Sequence, residues 1–255
     1  MELRTSALLA GAGILVLCFV GGYGEVSRQQ VLHDLGMDLY GAAVTEDLGS
    51  ANVAGELITV CYCFLIIGVV DIGVAFSLYS WLDESSHSLA LFAAWLRVAY
   101  TILELCATSS LIIALVCWHR NDATGMHSAM FLFEIGWNAV ALGVFGLHLV
   151  FLGLGVATIP RSPGGSEAQA QATRMLYRVG DGAWASGRVY LLAFLLVVAG
   201  VGYIGDSWGV VHHLPGRSPV QLSASGTAAG EVVLMLWLLV KYARGDVRDG
   251  RQALA

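Results

Sequence analysis

Six apolar runs leave this chain few ways to fold. They cover residues 6–23, 53–81, 89–118, 129–159, 189–211 and 222–242. A helix crosses the hydrocarbon core of a bilayer with about 17–25 residues, so each run is long enough to span it. The second, third and fourth exceed that need and are expected to tilt or to project beyond the lipid. The sixth is the least regular, because Ser223, Ser225, Gly226 and Thr227 make its first half polar. Lipid offers a backbone no hydrogen-bond partner, so a spanning segment is either a helix or part of a closed barrel. Barrel strands alternate apolar and polar residues over about ten positions, whereas these runs are continuously apolar. The expected fold class is therefore all-α, an integral membrane bundle of six transmembrane helices forming one domain over residues 1–255.

Composition supports the same reading. Charged residues make up 13% of the chain, against about 25% in a soluble domain, too few to cover a water-facing surface. The first run follows Arg4 but lacks a small-residue cleavage site, and Leu17 precedes Cys18. It reads as a membrane helix and not as a removed signal. The five cysteines (Cys18, Cys61, Cys63, Cys106 and Cys117) all fall inside apolar runs, where they read as small packing residues. A net charge of −6 with no basic stripe gives no footprint for nucleic acid.

Lys and Arg counts orient the bundle. With six spans both termini share a side, which carries Arg4, Arg161, Arg174, Arg178, Arg188, Lys241, Arg244, Arg248 and Arg251. The other side has Arg28, Arg120 and Arg217, and Arg97 lies within a span. Both termini are thus expected in the cytoplasm of a cell-membrane protein. An outer acidic loop is expected over 24–52, holding Glu25, Asp34, Asp38, Glu46 and Asp47. It reads equally as an ordered cap or as a flexible loop. An inner loop is expected over 160–187. Within it Ala168, Ala172, Met175 and Val179 fall at helical spacing beside Arg174 and Arg178, the pattern of a short amphipathic helix on an anionic surface. A disordered loop is the rival reading, and a membrane partner protein is the partner such a loop would dock.

Ionisable residues inside spans are costly and mark candidate sites. Asp71 lies thirteen residues before Glu84, the centre of an inner turn, and Arg97 thirteen after it. Both therefore stand about 20 Å along their helices from that turn, and opposite charges at matched depth are expected to pair. His148 approaches the same level from the fourth run. Glu104 follows Arg97 by seven residues on one helix face. Glu134 and Asn138 are one turn apart, with His148 on roughly the same stripe. Asp206 lies near the outer end of the fifth run, followed by His212 and His213, and Glu231 near the middle of the sixth. The expectation is a polar column of Asp71, Arg97 and His148 inward and of Glu104, Glu134, Asp206 and Glu231 outward. The acids outnumber the cations on hand, and burial favours their neutral form, suited to exchanging protons or to hydrogen-bonding a ligand. The bland alternative is a set of satisfied buried pairs that hold helix register.

Motifs for other chemistry are missing. His212 and His213 are adjacent and point about 100° apart on a helix, and no HExxH spacing occurs, so no metal is expected. Gly200–Gly205 matches G-x-G-x-x-G in letters but lies inside an apolar run with no strand before it. Paired histidines at matched depth for haem are absent too, and no cofactor is expected.

Four segments carry a family likeness. They are Asp71–Tyr79 (DIGVAFSLY), Ser88–Arg97 (SLALFAAWLR), and Phe145–Gly153 (FGLHLVFLG) with Ala199–Ser207 (AGVGYIGDS). In these the chain resembles a bacterial multi-pass family known as domain of unknown function four-three-eight-six, in the same order over nearly its whole length. The resemblance implies a helical membrane protein with Asp71, Arg97, His148 and Asp206 as its characteristic polar positions, and no activity. Ser162–Ala185 departs from the short Pro-containing turn of that family. Three functions are compatible with these residues. They are proton-coupled transport of a small solute, a non-catalytic scaffold or accessory subunit, and a lipid-modifying enzyme using Asp206, His212 and His213.

Overall fold

The structure is a computed structural model that describes residues 3–35, 51–83, 85–159, 182–211 and 221–243. Among these, every regular element is a helix. They are α1 (Leu3–Asp34), α2 (Ala51–Leu82), α3 (His87–His119), α4 (Ala123–Glu134), a π-helical segment (Ile135–Ala141), α5 (Leu142–Thr158), α6 (Gly182–Val211) and α7 (Gln221–Ala243). The α4, π and α5 segments form one continuous rod, so the described residues make six rods. Five of the rods are long and apolar enough to cross a membrane: Leu3–Asp34, Val53–Leu82, His87–His119, Ala123–Thr158 and Gly187–Gly209. The stretch expected as the sixth span lies in α7.

The rods pack as a closed ring in chain order. α1 lies on α2, α2 on α3, α3 on α4, the π segment and α5, α5 on α6, and α6 on α7, which returns to α1. Successive rods run antiparallel. Large apolar side chains such as Phe19, Val69, Trp95, Phe194 and Trp208 cover the outside, as a lipid-facing surface requires. Inside the ring lie two apolar cores. One, around Ile14, Leu78, Leu149, Leu196 and Leu238, surrounds the end holding the start of α1. The other, around Val31, Leu57, Phe64, Leu111 and Phe133, occupies the opposite end, the outer one in the expected topology. Trp137, in the π segment, packs against both.

Helix ends explain the turns. Asp122 N–H donates to Cys117 O and Asn121 N–H to Trp118 O, with Asn121 at a positive φ of 54°. This is the Schellman ending of a helix, closed by an Asn in the left-handed region. Asp122 then caps α4 by accepting from Gly125 N at 2.9 Å, so two residues of turn serve both helices. In the π segment the chain winds more widely, and Leu142 N–H donates to Trp137 O, five residues back.

The segment expected as an outer loop over 24–52 is in fact helical up to Asp34 and again from Ala51. The polar residues that suggested a loop are satisfied along the helix: Gln29 donates to Glu25 and Gln30 to Asp34. Val31 and Leu32 meanwhile pack into the outer core. Likewise α6 begins at Gly182, inside the expected inner loop of 160–187. The amphipathic helix expected around Ala168–Val179 lies outside the described residues, as do His212 and His213.

Candidate functional site

The polar interior consists of two arginine-centred groups with a glutamate at a level between them. Arg97, on α3, is 1% exposed. Its Nε donates to Asp71 Oδ1 of α2 at 2.7 Å, and its Nη2 pairs with the same oxygen. Nη1 donates to His148 Nε2 of α5 at 3.1 Å and to Glu231 Oε1 of α7 at 3.4 Å. Its guanidinium carbon also stands 5.4 Å from the centre of the Phe145 ring. Four rods thus converge on one side chain. The tautomer of His148 follows from its partners. Nδ1 lies 2.8 Å from Ala93 O, which can only accept, and Nε2 faces a guanidinium, which can only donate. His148 therefore carries its proton on Nδ1, is neutral, and serves as an orienting acceptor for Arg97.

The second group lies in the outer half. Arg28, on α1, has a side chain 4% exposed. Its Nε and Nη2 grip both oxygens of Glu25 at 2.8 and 2.5 Å, and its Nη1 donates to Glu134 Oε1 of α4 at 2.5 Å. Asn138 supplies the other Glu134 oxygen with an N–H at 2.7 Å. Each arginine therefore stands between two carboxylates, one from each of two helices or from its own helix and one other.

Glu104 has no such partner. It is 0% exposed, and both carboxyl oxygens are buried without a hydrogen bond among the described residues. It falls one residue past the centre of α3 (His87–His119). Thr101 and Thr108, on the same face, donate their hydroxyls to the Arg97 and Glu104 carbonyls at 3.0 and 2.8 Å, so neither serves the carboxyl. Gly136 lies so near that a Cβ on it would stand 3.1 Å from the Ala107 Cβ. This contact sets Glu104 about one turn inward of Glu134, level with the π segment.

Two features differ from the polar column read along the sequence. Glu134 and His148 do not share a stripe: the wider π winding between them turns Glu134 toward α1 and His148 toward α3. Nor do Glu134 and Glu231 lack cations, since Arg28 and Arg97 bond them. Arg28 and Glu25 are functional candidates that sequence reasoning placed in a loop. The signal for them was present, because Gly24, Ser27, Arg28, Val31 and Leu32 form one buried helical stripe. Asp206 lies in α6, partly exposed, one turn beyond Tyr203, whose ring meets Phe145 at 5.3 Å. Among the described residues no group of three or more His, Cys, Asp or Glu has metal-binding geometry.

A ring of long apolar helices with buried charge inside defines a multi-pass membrane protein. The chain belongs to the family described as Domain of unknown function (DUF4386), which matches it over residues 9–163. That stretch holds both arginine centres, Asp71, Glu104, Glu134 and His148, whereas Asp206 and Glu231 lie beyond it. No curated protein and no solved structure matches the chain.

Proposed function

We propose that this protein spans a cell membrane six times, with both termini in the cytoplasm, and moves a small solute together with a proton that Glu104 binds and releases. The observation that carries this reading is Glu104 itself. A carboxylate buried at mid-membrane without a donor would bear the full desolvation cost of a charge. The neutral acid avoids that cost, and the group becomes ionisable only when the ring rearranges to bring it water or a cation. A fold that needed this residue only for packing would be served by Gln or Leu. The two arginine groups support the reading differently. Each holds an immobile cation between acids above or below Glu104, so that a proton or a polar solute moving along the interior meets a pre-oriented field and not bare hydrocarbon.

Wild-type protein and Glu104→Gln are to be reconstituted into vesicles loaded with a pH-sensitive dye and exposed to panels of amino acids, sugars and organic acids. The expected result is a solute-evoked pH change in wild type that Glu104→Gln abolishes while remaining monodisperse. An equal response in the variant overturns the role of Glu104. The absence of any solute-evoked response in wild type overturns the transport reading and favours a scaffold.

A further inference from the structure

Besides the two Glu104 oxygens, two buried side-chain atoms lack a hydrogen-bond partner among the described residues: Glu56 Oε2 on α2 and His127 Nε2 on α4. Ring contacts show that these two residues share a level. Phe64 meets Phe133 at 5.3 Å and Trp137 at 4.8 Å, which sets position 64 of α2 beside positions 133–137 of the fourth rod. α2 and α4 both run inward from the outer end. Glu56 is eight residues before Phe64, and the corresponding stretch of α4, 125–129, contains His127. Both residues are partly buried and lie within two turns of the outer starts of their helices.

The α4 face leads inward. His127 and Glu134 are seven residues apart on α4, two turns along one face. Glu134 is bonded to Asn138, whose segment is level with Glu104. On α2, a Cβ on Gly68 would stand 2.9 Å from the Leu105 side chain, so Glu104 lies about 20 Å inward of Glu56 along the helix. A carboxyl and an imidazole, each with a polar atom held in the interior yet committed to nothing, are groups able to take up and pass on a proton.

We infer that Glu56 and His127 form a proton-loading site at the outer end of the ring, through which Glu104 exchanges its proton with the outside. This rests on the reading of Glu104 given above. A proton taken up from bulk water by the partly exposed His127 ring or Glu56 carboxyl passes inward over ordered water to a Glu104 oxygen, and only N–H and O–H bonds are made and broken. Arg28 and Glu25 of α1 and Glu134 of α4 face the route and stay paired throughout.

The test is infrared spectroscopy of the reconstituted full-length protein. A buried carboxylic acid without a partner has a separate C=O band, assigned to Glu104 by its loss in Glu104→Gln. After a jump into D2O, the downshift of that band times proton exchange at Glu104. Glu56→Gln and His127→Asn are expected to leave the band in place and to slow its exchange about tenfold or more, as removal of a proton-transfer group does. Exchange at the wild-type rate in both variants overturns the loading site while leaving Glu104 as the proton carrier. If Glu104→Gln removes no band, the assignment of Glu104 falls and the loading site falls with it. A band displaced in Glu56→Gln or His127→Asn shows a structural role for that residue and also counts against the site.

Discussion

Arg97 and Arg28 solve the same problem in two different surroundings. Each is an arginine inside a membrane helix bundle, and each lies between two acids. Arg97 draws its partners from three other rods, and Asp71 and His148 are both sealed from solvent, with only Glu231 at 17% side-chain exposure. Arg28 holds Glu25 on its own helix and Glu134 on one other, and Glu25 is 39% exposed. The first group is a closed knot that ties α2, α3, α5 and α7 together. The second is a hinge-like pair with one leg in the open. An ion pair gains strength where water is excluded, but breaking it there also leaves more uncompensated charge. The inner group is therefore expected to govern stability, and the outer group to tolerate change.

The largest expected effect is at Asp71. Asp71→Leu leaves Arg97 in the interior with only the longer contact to Glu231 and the neutral His148 and should cost about 3–5 kcal/mol, read as a collapse of the thermal midpoint in detergent or loss of monodisperse protein. The double variant Asp71→Leu/Arg97→Met should recover part of that loss, since removing both charges is cheaper than removing one, though it takes the cation from Glu231. If it does not, Arg97 matters for more than its pair with Asp71, and Glu231 and His148 become the partners to test.

Arg28→Ala comes next, at about 2–3 kcal/mol. It leaves Glu134 buried with Asn138 alone, but Glu25 can turn to water. A loss as large as that at Asp71 would erase the proposed difference between the groups. Gly146→Ala probes the inner group without touching a charge. A Cβ there would stand 2.6 Å from Gly200 O and 2.9 Å from Ile204, forcing α5 from α6 at a cost of about 1–3 kcal/mol. Because α5 carries His148, limited proteolysis should show α6 and α7 loosened while the α1–α4 half stays protected. Glu25→Gln should be the mildest, at about 1 kcal/mol or less, as for a pair half open to solvent. A larger loss would mean that Glu25 is buried in the membrane-embedded protein.

Much of this was readable along the chain. Helical rods follow from apolar length alone, and Asp71 and Arg97 can be placed at one depth by counting equal steps from a tight turn, because antiparallel neighbours share that turn's origin. Counting fails where the origin is distant. Glu231 lies 134 residues from Arg97, and nothing local says that α7 closes the ring beside α1. Counting also fails where the winding changes. The π segment shifts every side chain after Glu134 by part of a turn, so the α-helical stripe from Glu134 to His148 does not survive it. Arg28 was misread for a third reason, since a polar stretch after an apolar run looks like a loop unless its partner, Glu134 on another helix, is known.

The sequence by itself determined the solvent of this protein and the elements that solvent permits. Long apolar runs demand lipid, lipid demands satisfied backbones, and the runs therefore become helices. It also determined that charges would lie inside, because residues as costly as Asp71 and Glu104 cannot face hydrocarbon. Which charges meet was decided only by the tertiary structure. A partner is chosen by the ring order of the rods and their relative rotation, properties of packing between distant segments. The same packing left Glu104 without a donor among the described residues while giving Asp71, Glu134 and Glu231 an arginine each.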